Sequence, residues 1–175
     1  SVSESQSLSW TPAVSETAVT RIVVDIASAA QGSTDDQQAM RSYYRDDIAR
    51  IPEMKLCADQ LWKNTGLGPA DIQVANIYDH FTPLFLPQLE EFGFCEKGEA
   101  KEFLRDGNID MDGSLPTNTN GGQLGEAYIH GMNGIAEAVR QIRGTSVNQV
   151  KNVENALVTA GTSVPTSALI LSQDN

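Results

Sequence analysis

Two short clusters in the sequence contain side chains that can move protons. The first is YDHFT at residues 78–82, and the second is EAYIHG at 126–131. Each cluster combines a tyrosine with a histidine. A phenol or an imidazole serves as a general acid or base once its surroundings tune its pKa to the task. These clusters are therefore the first candidates for a reactive site.

The predicted elements around the clusters indicate that they meet. The first directly follows a predicted strand at 71–77, and the second opens a glycine-led helix. In layered α/β sheets, ligands gather outside the carboxyl ends of the strands. If the helix start abuts that edge, the two clusters face each other. Their polar members are Tyr78, Asp79 and His80 on one side and Tyr128 and His130 on the other.

Motifs for other chemistries are not found. There is no Walker loop or Gly-x-Ser-x-Gly elbow, and a dinucleotide fingerprint fails because residue 120 is asparagine. Cys57 and Cys95 fit no metal or redox spacing and are expected to be reduced thiols. The segment 106–118 imitates a calcium loop, but Thr119 replaces the closing glutamate. We predict no metal site.

Composition limits the classes of partner. The net charge is −11, with 12 basic against 23 acidic residues, and a nucleic-acid-binding protein needs a basic face. The sequence contains no run of 18 apolar residues, so no membrane span is predicted, and no secretory signal is visible. We therefore expect a cytoplasmic protein that does not bind nucleic acid and does not span a membrane.

The pattern of apolar residues predicts an α/β layered domain with a mixed sheet. A Ser-rich segment at 1–18 is set apart as an N-terminal segment or linker, and the domain is assigned to 19–175. Gly66 and Gly144 are expected to end helices. In the last predicted helix, a stripe at spacings of three and four indicates one buried face. The predicted strands are 21–30, 71–77, 155–160 and 166–172, with GTSVP joining the last two; the predicted helices are 53–65, 81–92, 97–105 and 122–143; the stripe is Leu124, Tyr128, Met132, Ile135, Val139 and Ile142.

Three separated motifs carry a resemblance to a known family. They are VANIYDHFTPLFLPQLEEFGFCEKGEA, NTNGGQLGEAYIHGMNGIAEAVRQIRG and ALVTAGTSVPTSALIL, in that order. Together they resemble the C-terminal half of the thiolase superfamily, in its actinobacterial lipid-transfer-protein-type branch, over roughly residues 20 to 172. The resemblance implies an α/β thiolase-like layered half-domain with a mixed, mostly five-stranded sheet flanked by helices.

The resemblance also implies that the thiolase catalytic groups of this half are replaced. The asparagine position of thiolases is Tyr78 here, and the histidine position is Tyr128, followed by Ile129 instead of proline. The second catalytic cysteine falls at about Ala160. Claisen condensation needs that cysteine and that histidine, so thiolase activity is not expected.

Members of this branch resemble aldolases that cleave steroid side chains, and this implies a specific reaction. It is retro-aldol cleavage of a 17-hydroxy steroid side-chain acyl-CoA to a ketosteroid and propionyl-CoA. Tyr128 and Tyr78 would be the acid–base pair, in either order, with their pKa values lowered toward neutrality. Supporting or substrate-binding roles would fall to His130, His80, Asp79, Asn120 and Gly161.

The same resemblance sets expectations for cofactors and partners. No separate cofactor is expected, because coenzyme A is part of the substrate. A homodimer, an OB-fold partner protein and an N-terminal half that supplies much of the coenzyme A site are expected.

Two other functions stay open at this point. The chain could be a non-catalytic acyl-CoA- or lipid-binding half of a thiolase-like lipid-transfer protein, or a degenerate thiolase that uses a cysteine of the other half. Catalysis by the tyrosines requires their hydroxyls, whereas a purely packing role tolerates phenylalanine.

Overall fold

A computed structural model describes residues 22–35, 45–161 and 166–174 of the chain. Within these ranges four strands form one mixed sheet in the order β1-β4-β3-β2. Strand β4 pairs antiparallel with β1 and with β3, and β2 pairs parallel with β3. The strands are β1 (Val24–Gly32), β2 (Val74–Asn76), β3 (Asn155–Ala160) and β4 (Thr166–Gln173).

The predicted number of five strands is wrong for the described residues, which form four. The segment 116–118 passes beside β2, where a fifth strand would lie, but makes only an isolated bridge between Thr117 and Ala75. Pro116 has no N–H to donate, and Asn118 adopts a positive φ of 51°. These two flanking residues prevent the pairing from extending into a strand.

The described residues also form five α-helices, which flank the sheet. Helix α1 begins with proline, whose fixed φ suits a first turn, and Gly66 ends it as predicted, with φ 72° and its N–H donating to the Trp62 carbonyl at 2.9 Å. A 3₁₀ turn at Thr82–Leu84 leads into α2, close to the predicted helix start. The helices are α1 (Pro52–Thr65), α2 (Phe85–Glu91), α3 (Ala100–Arg105), α4 (Gly122–Gly125) and α5 (Met132–Ile142).

The core consists of two apolar clusters on opposite faces of the sheet. Helix α1 packs on β1 and β4, whereas α5 packs on β2 and β3. Along β3, Leu157 belongs to the cluster that contains α1, and its neighbours Ala156 and Val158 belong to the cluster beneath α5. This alternation is expected for a strand covered on both faces.

The predicted continuous helix from Gly122 to Arg143 is wrong, because six residues separate α4 from α5. His130 and Gly131 have positive φ values of 52° and 87°, which a right-handed helix does not allow. The first part of the predicted buried stripe, Leu124, Tyr128 and Met132, is exposed. Only its C-terminal part lies against the sheet, and the helix ends before Gly144 as predicted.

Several predictions lie outside the described residues. These include the boundary between 18 and 19 and the turn at 162–165 between β3 and β4. Within the described ranges, no helix has the length and apolar character needed to cross a membrane.

Candidate active site

Asn118 continues the hydrogen-bonding pattern of β2 beyond its last residue. Its Oδ1 accepts from the Ile77 N–H at 2.8 Å, and its Nδ2 donates to the Ile77 carbonyl at 3.0 Å. The next residue, Tyr78, donates its N–H to Thr159 Oγ1 at 2.8 Å. One amide and one hydroxyl thus hold the backbone that carries Tyr78.

Gln88 fixes the carbonyl side of the same residue. Its fully buried side chain donates from Nε2 to the Tyr78 carbonyl at 2.8 Å and to the Leu84 carbonyl at 2.7 Å. Thr159 Oγ1 in turn donates to Gln88 Oε1 at 2.7 Å. Both the N–H and the carbonyl of Tyr78 are hydrogen-bonded, so the backbone that carries its ring is held in place.

The gap between α4 and α5 brings the second tyrosine to the first. The hydroxyls of Tyr78 and Tyr128 are 2.6 Å apart, which is a short hydrogen bond in which either can donate. Tyr78 is 7% exposed and Tyr128 is 47% exposed. The structure therefore brings the two predicted catalytic residues together, one at the base of the site and one at its opening.

The backbone conformation of Gly131, rather than a lack of space, favours glycine in the turn beside the two tyrosines. A Cβ there would lie 3.4 Å from the Ala160 Cβ and 3.5 Å from the Tyr78 ring, and its φ of 87° is in the region that favours glycine. Ala160, the position of the thiolase cysteine in the resemblance, is thus beside both Tyr78 and the start of α5.

The environment of Tyr78 opposes its ionisation. Burial raises the pKa of its phenol, and the hydrogen bond with Tyr128 and the charge of Asp79 raise it further. The expectation that the pKa of Tyr78 falls toward neutrality is therefore wrong. The reason is that a buried hydroxyl beside a carboxylate loses both water and electrostatic support for a phenolate.

Asp79 and Asn120 hold the backbone around α4. Asp79 Oδ1 accepts from the Gln123 N–H at 2.6 Å, and a Cβ on Gly122 would lie 2.1 Å from Asp79 Oδ2. Asn120 Oδ1 accepts from the Gly122 N–H at 3.1 Å, and its Nδ2 donates to Glu126 at 2.6 Å. Both predicted residues lie near the tyrosines, and both bind this backbone.

Each histidine lies against one tyrosine. The ring centroids of His80 and Tyr78 are 4.8 Å apart, and those of His130 and Tyr128 are 4.9 Å apart. Burial lowers the pKa of His80 although the charge of Asp79 opposes this, so the imidazole is neutral at pH 7. The described residues contain no group of three or more His, Cys, Asp or Glu side chains that could hold a metal ion.

The remaining predicted groups lie at the edge of this site or outside it. Gly161 follows the end of β3 with φ 72°, and its supporting or substrate-binding role stays a prediction. The two cysteines are free thiols, and burial raises the pKa of Cys57 and of Cys95 to about 11. Neither thiol is suited to act as a nucleophile.

Sequence reasoning did not identify the amides and hydroxyls that support the tyrosines. One usable signal was a polar residue inside an apolar segment, such as Thr159 in NALVTA or Gln88 in FLPQLEE. A buried polar residue needs a hydrogen-bond partner, so such a position indicates a buried network. The missed residues are Gln88, Asn118, Gln123 and Thr159.

Comparison with known proteins places this geometry among thiolase-like chains. The chain is 66% identical over 149 residues to a steroid side-chain-cleaving aldolase of Thermomonospora curvata, and 66% identical over 148 residues to a 17-hydroxy-3-oxo-4-pregnene-20-carboxyl-CoA lyase of Mycobacterium tuberculosis. Each match covers 85% of this chain and 38% of the relative. The chain thus spans well under half the length of these two curated relatives.

A solved structure and a family profile extend the comparison. The structure named Ltp2-ChsH2(DUF35) aldolase superposes with a TM-score of 0.85 at 64% identity, and the match covers 89% of this chain and 41% of that one. The family described as Thiolase C-terminal domain-like matches residues 32–173. This match runs from the last residue of β1 to the last residue of β4 and includes all the site residues. The chain therefore belongs to the thiolase C-terminal domain-like family.

Proposed function

We propose that this chain forms the C-terminal half of an aldolase that cleaves a 17-hydroxy steroid side-chain acyl-CoA to a ketosteroid and propionyl-CoA. The observation that carries the proposal is the 2.6 Å hydrogen bond between Tyr78 and Tyr128 beside Ala160. A retro-aldol reaction needs a base and an acid but no covalent nucleophile, and this pair supplies both. The names of the two 66% identical relatives support the substrate class.

The different exposure of the two tyrosines suggests their roles. Tyr128, at the opening, starts the cycle as the phenolate and takes the proton of the tertiary hydroxyl. The carbinol carbon becomes a ketone as its bond to the α-carbon of the thioester breaks, and the electron pair passes into the thioester enolate. Buried Tyr78, whose raised pKa keeps it protonated, supplies the proton that the enolate carbon needs.

The short hydrogen bond explains how the pair is reset after one turnover. After cleavage Tyr128 has gained a proton and Tyr78 has lost one. The pair therefore returns to its starting state only if a proton passes from Tyr128 to Tyr78. With their oxygens 2.6 Å apart, Tyr128 passes its proton directly to Tyr78. Neither residue then has to exchange with solvent before the next substrate.

The proposal includes the wider setting of the reaction. Coenzyme A belongs to the substrate, and no separate cofactor takes part. The N-terminal half of the full-length protein completes the coenzyme A site, and a homodimer joined by an OB-fold partner is the working assembly in the cytoplasm. The two-component name of the 64% identical solved structure supports a partner chain.

Removal of single hydroxyls tests the proposal. Full-length protein with its partner is incubated with the 17-hydroxy steroid acyl-CoA, and propionyl-CoA is measured by mass spectrometry. We expect Tyr128→Phe and Tyr78→Phe each to lower kcat by roughly 10²–10⁴-fold, the usual contribution of a positioned acid or base. Thr145→Val, which removes an exposed hydroxyl beyond α5, is the control and should keep full activity.

Two results would contradict the aldolase. One is a folded, partnered wild type that releases no propionyl-CoA but binds the thioester, and this would favour an acyl-CoA-binding half. The other is full cleavage by both phenylalanine variants, which would show that the tyrosines only fill space.

A further inference from the structure

Asn76, the last residue of β2, has a buried amide without a hydrogen-bond partner among the described residues. Its side chain is 4% exposed, and neither Oδ1 nor Nδ2 forms a hydrogen bond with any described residue. A buried polar group left unpaired costs about 1–3 kcal/mol, and this amide has two such atoms. The preceding residues Val74 and Ala75 are fully buried and apolar, so an apolar residue at 76 would avoid the cost. The amide therefore needs a hydrogen-bond partner beyond the described residues.

A small cavity lies beside this amide and has the size of one water molecule. Its volume is about 10 Å³, close to the ~10–15 Å³ that one water molecule needs, and Asn76, Tyr78, Thr159 and Gly131 are among the residues that line it. A buried water typically forms about three hydrogen bonds. A steroid ring or a coenzyme A group is far too large for this space.

The polar groups at the cavity can satisfy a water. Asn76 offers one acceptor, Oδ1, and the donor Nδ2. The Thr159 hydroxyl accepts from the Tyr78 N–H and donates to Gln88, which leaves it one further lone pair. Three contacts are thus available, two on β2 and one on β3.

The start of α5 closes the other side of the cavity. Gly134 packs so closely that a Cβ there would lie 3.3 Å from the Asn76 Cβ and 3.4 Å from Val158 Cγ1. Gly131, in the turn beside the two tyrosines, lines the same space. Anything that fills the cavity therefore sets the distance between β2 and the segment that carries Tyr128.

We propose that Asn76 holds one ordered water molecule between β2 and the start of α5, and that Asn76 thereby acts as a positioning residue for the Tyr78–Tyr128 pair. Asn76 does not touch the substrate. The water fills the gap behind Tyr78 and keeps the two hydroxyls within hydrogen-bonding distance. Its kinetic consequence rests on the proposed retro-aldol reaction, but the water and the tyrosine geometry can be tested without that reaction.

Crystal structures of the full-length protein with its partner give the first test. In the wild type we expect one water within ~2.7–3.2 Å of Asn76 Oδ1 or Nδ2. In Asn76→Leu, which has similar size but no polar atoms, the water should be lost and the Tyr78–Tyr128 hydroxyl distance should exceed 2.6 Å. In Asn76→Ser, a hydroxyl and the space left by the shorter side chain should retain water and the short distance. A dry cavity in the wild type, or an unchanged tyrosine pair in Asn76→Leu, would overturn the proposal.

Kinetics then separate positioning from simple packing. Asn76→Leu should lower kcat about tenfold with little change in KM, because alignment of the acid–base pair affects the chemical step, and Asn76→Ser should recover most of the loss. Asn64→Leu removes the amide of an exposed residue on α1 that donates to Ser28 Oγ at 3.3 Å, and its kcat should match that of the wild type. Full kcat in Asn76→Leu would refute the positioning role. If the wild type itself cleaves no substrate, the aldolase fails, while the crystal structures still decide whether Asn76 holds the water.

Discussion

At the scale of single residues, two phenols that share a proton act as a unit. The hydroxyls of Tyr78 and Tyr128 are joined by a 2.6 Å hydrogen bond, so ionisation of one hydroxyl changes the free energy of ionising the other. Burial holds Tyr78 protonated, so the pair can carry one negative charge but not two. Replacing either hydroxyl therefore changes the behaviour of both residues.

The raised pKa of Tyr78 predicts a loss of stability in alkali. Below pH 10 both the folded and the unfolded states keep this proton. Above the ordinary tyrosine pKa of about 10, the unfolded chain loses it while the folded chain retains it, so stability falls as pH rises toward the folded pKa. Urea unfolding between pH 8 and pH 11 should show a shallower decline for Tyr78→Phe than for the wild type. Identical slopes would mean that Tyr78 titrates normally in the folded protein.

At this scale the sequence selected two candidate reactive side chains, which the structure brings together, but it did not identify their support. A tyrosine and a histidine in each of two short clusters, with the family resemblance, were enough to select Tyr78 and Tyr128. The supporting Gln88 and Thr159 make contacts across 71 residues of chain. Such pairing depends on tertiary packing, which local spacing does not encode.

At the scale of elements, the site depends on an interruption between two helices. A helix that continued through 126–131 would keep Tyr128 on a regular face and could not form the turn at His130 and Gly131. The hydrophobic spacing predicted such a helix because apolar residues continue at three and four through the gap. The glycine at 131 was the local signal against it, since glycine is costly in a helix interior.

Two glycines with positive φ provide a matched test of this interruption. Alanine at Gly131 (φ 87°) or at Gly144 (φ 67°) should cost about 1–2 kcal/mol of stability, because both force a side chain into the left-handed region. Only Gly131→Ala should also reduce kcat, since relaxation of its strain moves the segment that carries Tyr128. Thermal unfolding and the propionyl-CoA assay measure the two effects. Equal activity in both variants would show that the start of α5 does not position Tyr128.

Other elements were predicted more closely, because the sequence signals that mark their ends lie within or beside each element. Helix α1 has a proline at its start and a glycine after its end, and β3 and β4 are short apolar segments separated by glycine and proline. The five-stranded sheet implied by the resemblance is not confirmed in the described residues, where 116–118 makes only one bridge to β2. Pro116 limits that pairing, and only the structure shows that the segment lies there.

At the scale of the whole molecule, one sheet with two covered faces supports the site. Leu157 lies at its centre with 0% exposure, whereas Ile26 on β1 is 65% exposed. We expect Leu157→Ala to reduce the free energy of unfolding by about 2–5 kcal/mol, as for other large-to-small core changes. Ile26→Ala should stay within about 0.5 kcal/mol of the wild type, because it removes little buried surface.

Chemical denaturation of the full-length protein compares these two variants. A large loss for Ile26→Ala would mean that another part of the assembly covers β1. A small loss for Leu157→Ala would mean that the two apolar clusters do not determine the stability of this half.

The hydrogen bonds that hold the backbone of Tyr78 and of the preceding Ile77 come from Gln88, Thr159 and Asn118, none of which carries a charge. Salt screens interactions between charges but hardly affects hydrogen bonds between neutral groups. None of these three side chains changes its protonation state between acid and alkali. The chain as a whole carries a net charge of −11, so added salt eases the approach of any anionic substrate. Ionic strength will therefore change how readily such a substrate arrives, while the backbone of Tyr78 keeps its hydrogen bonds.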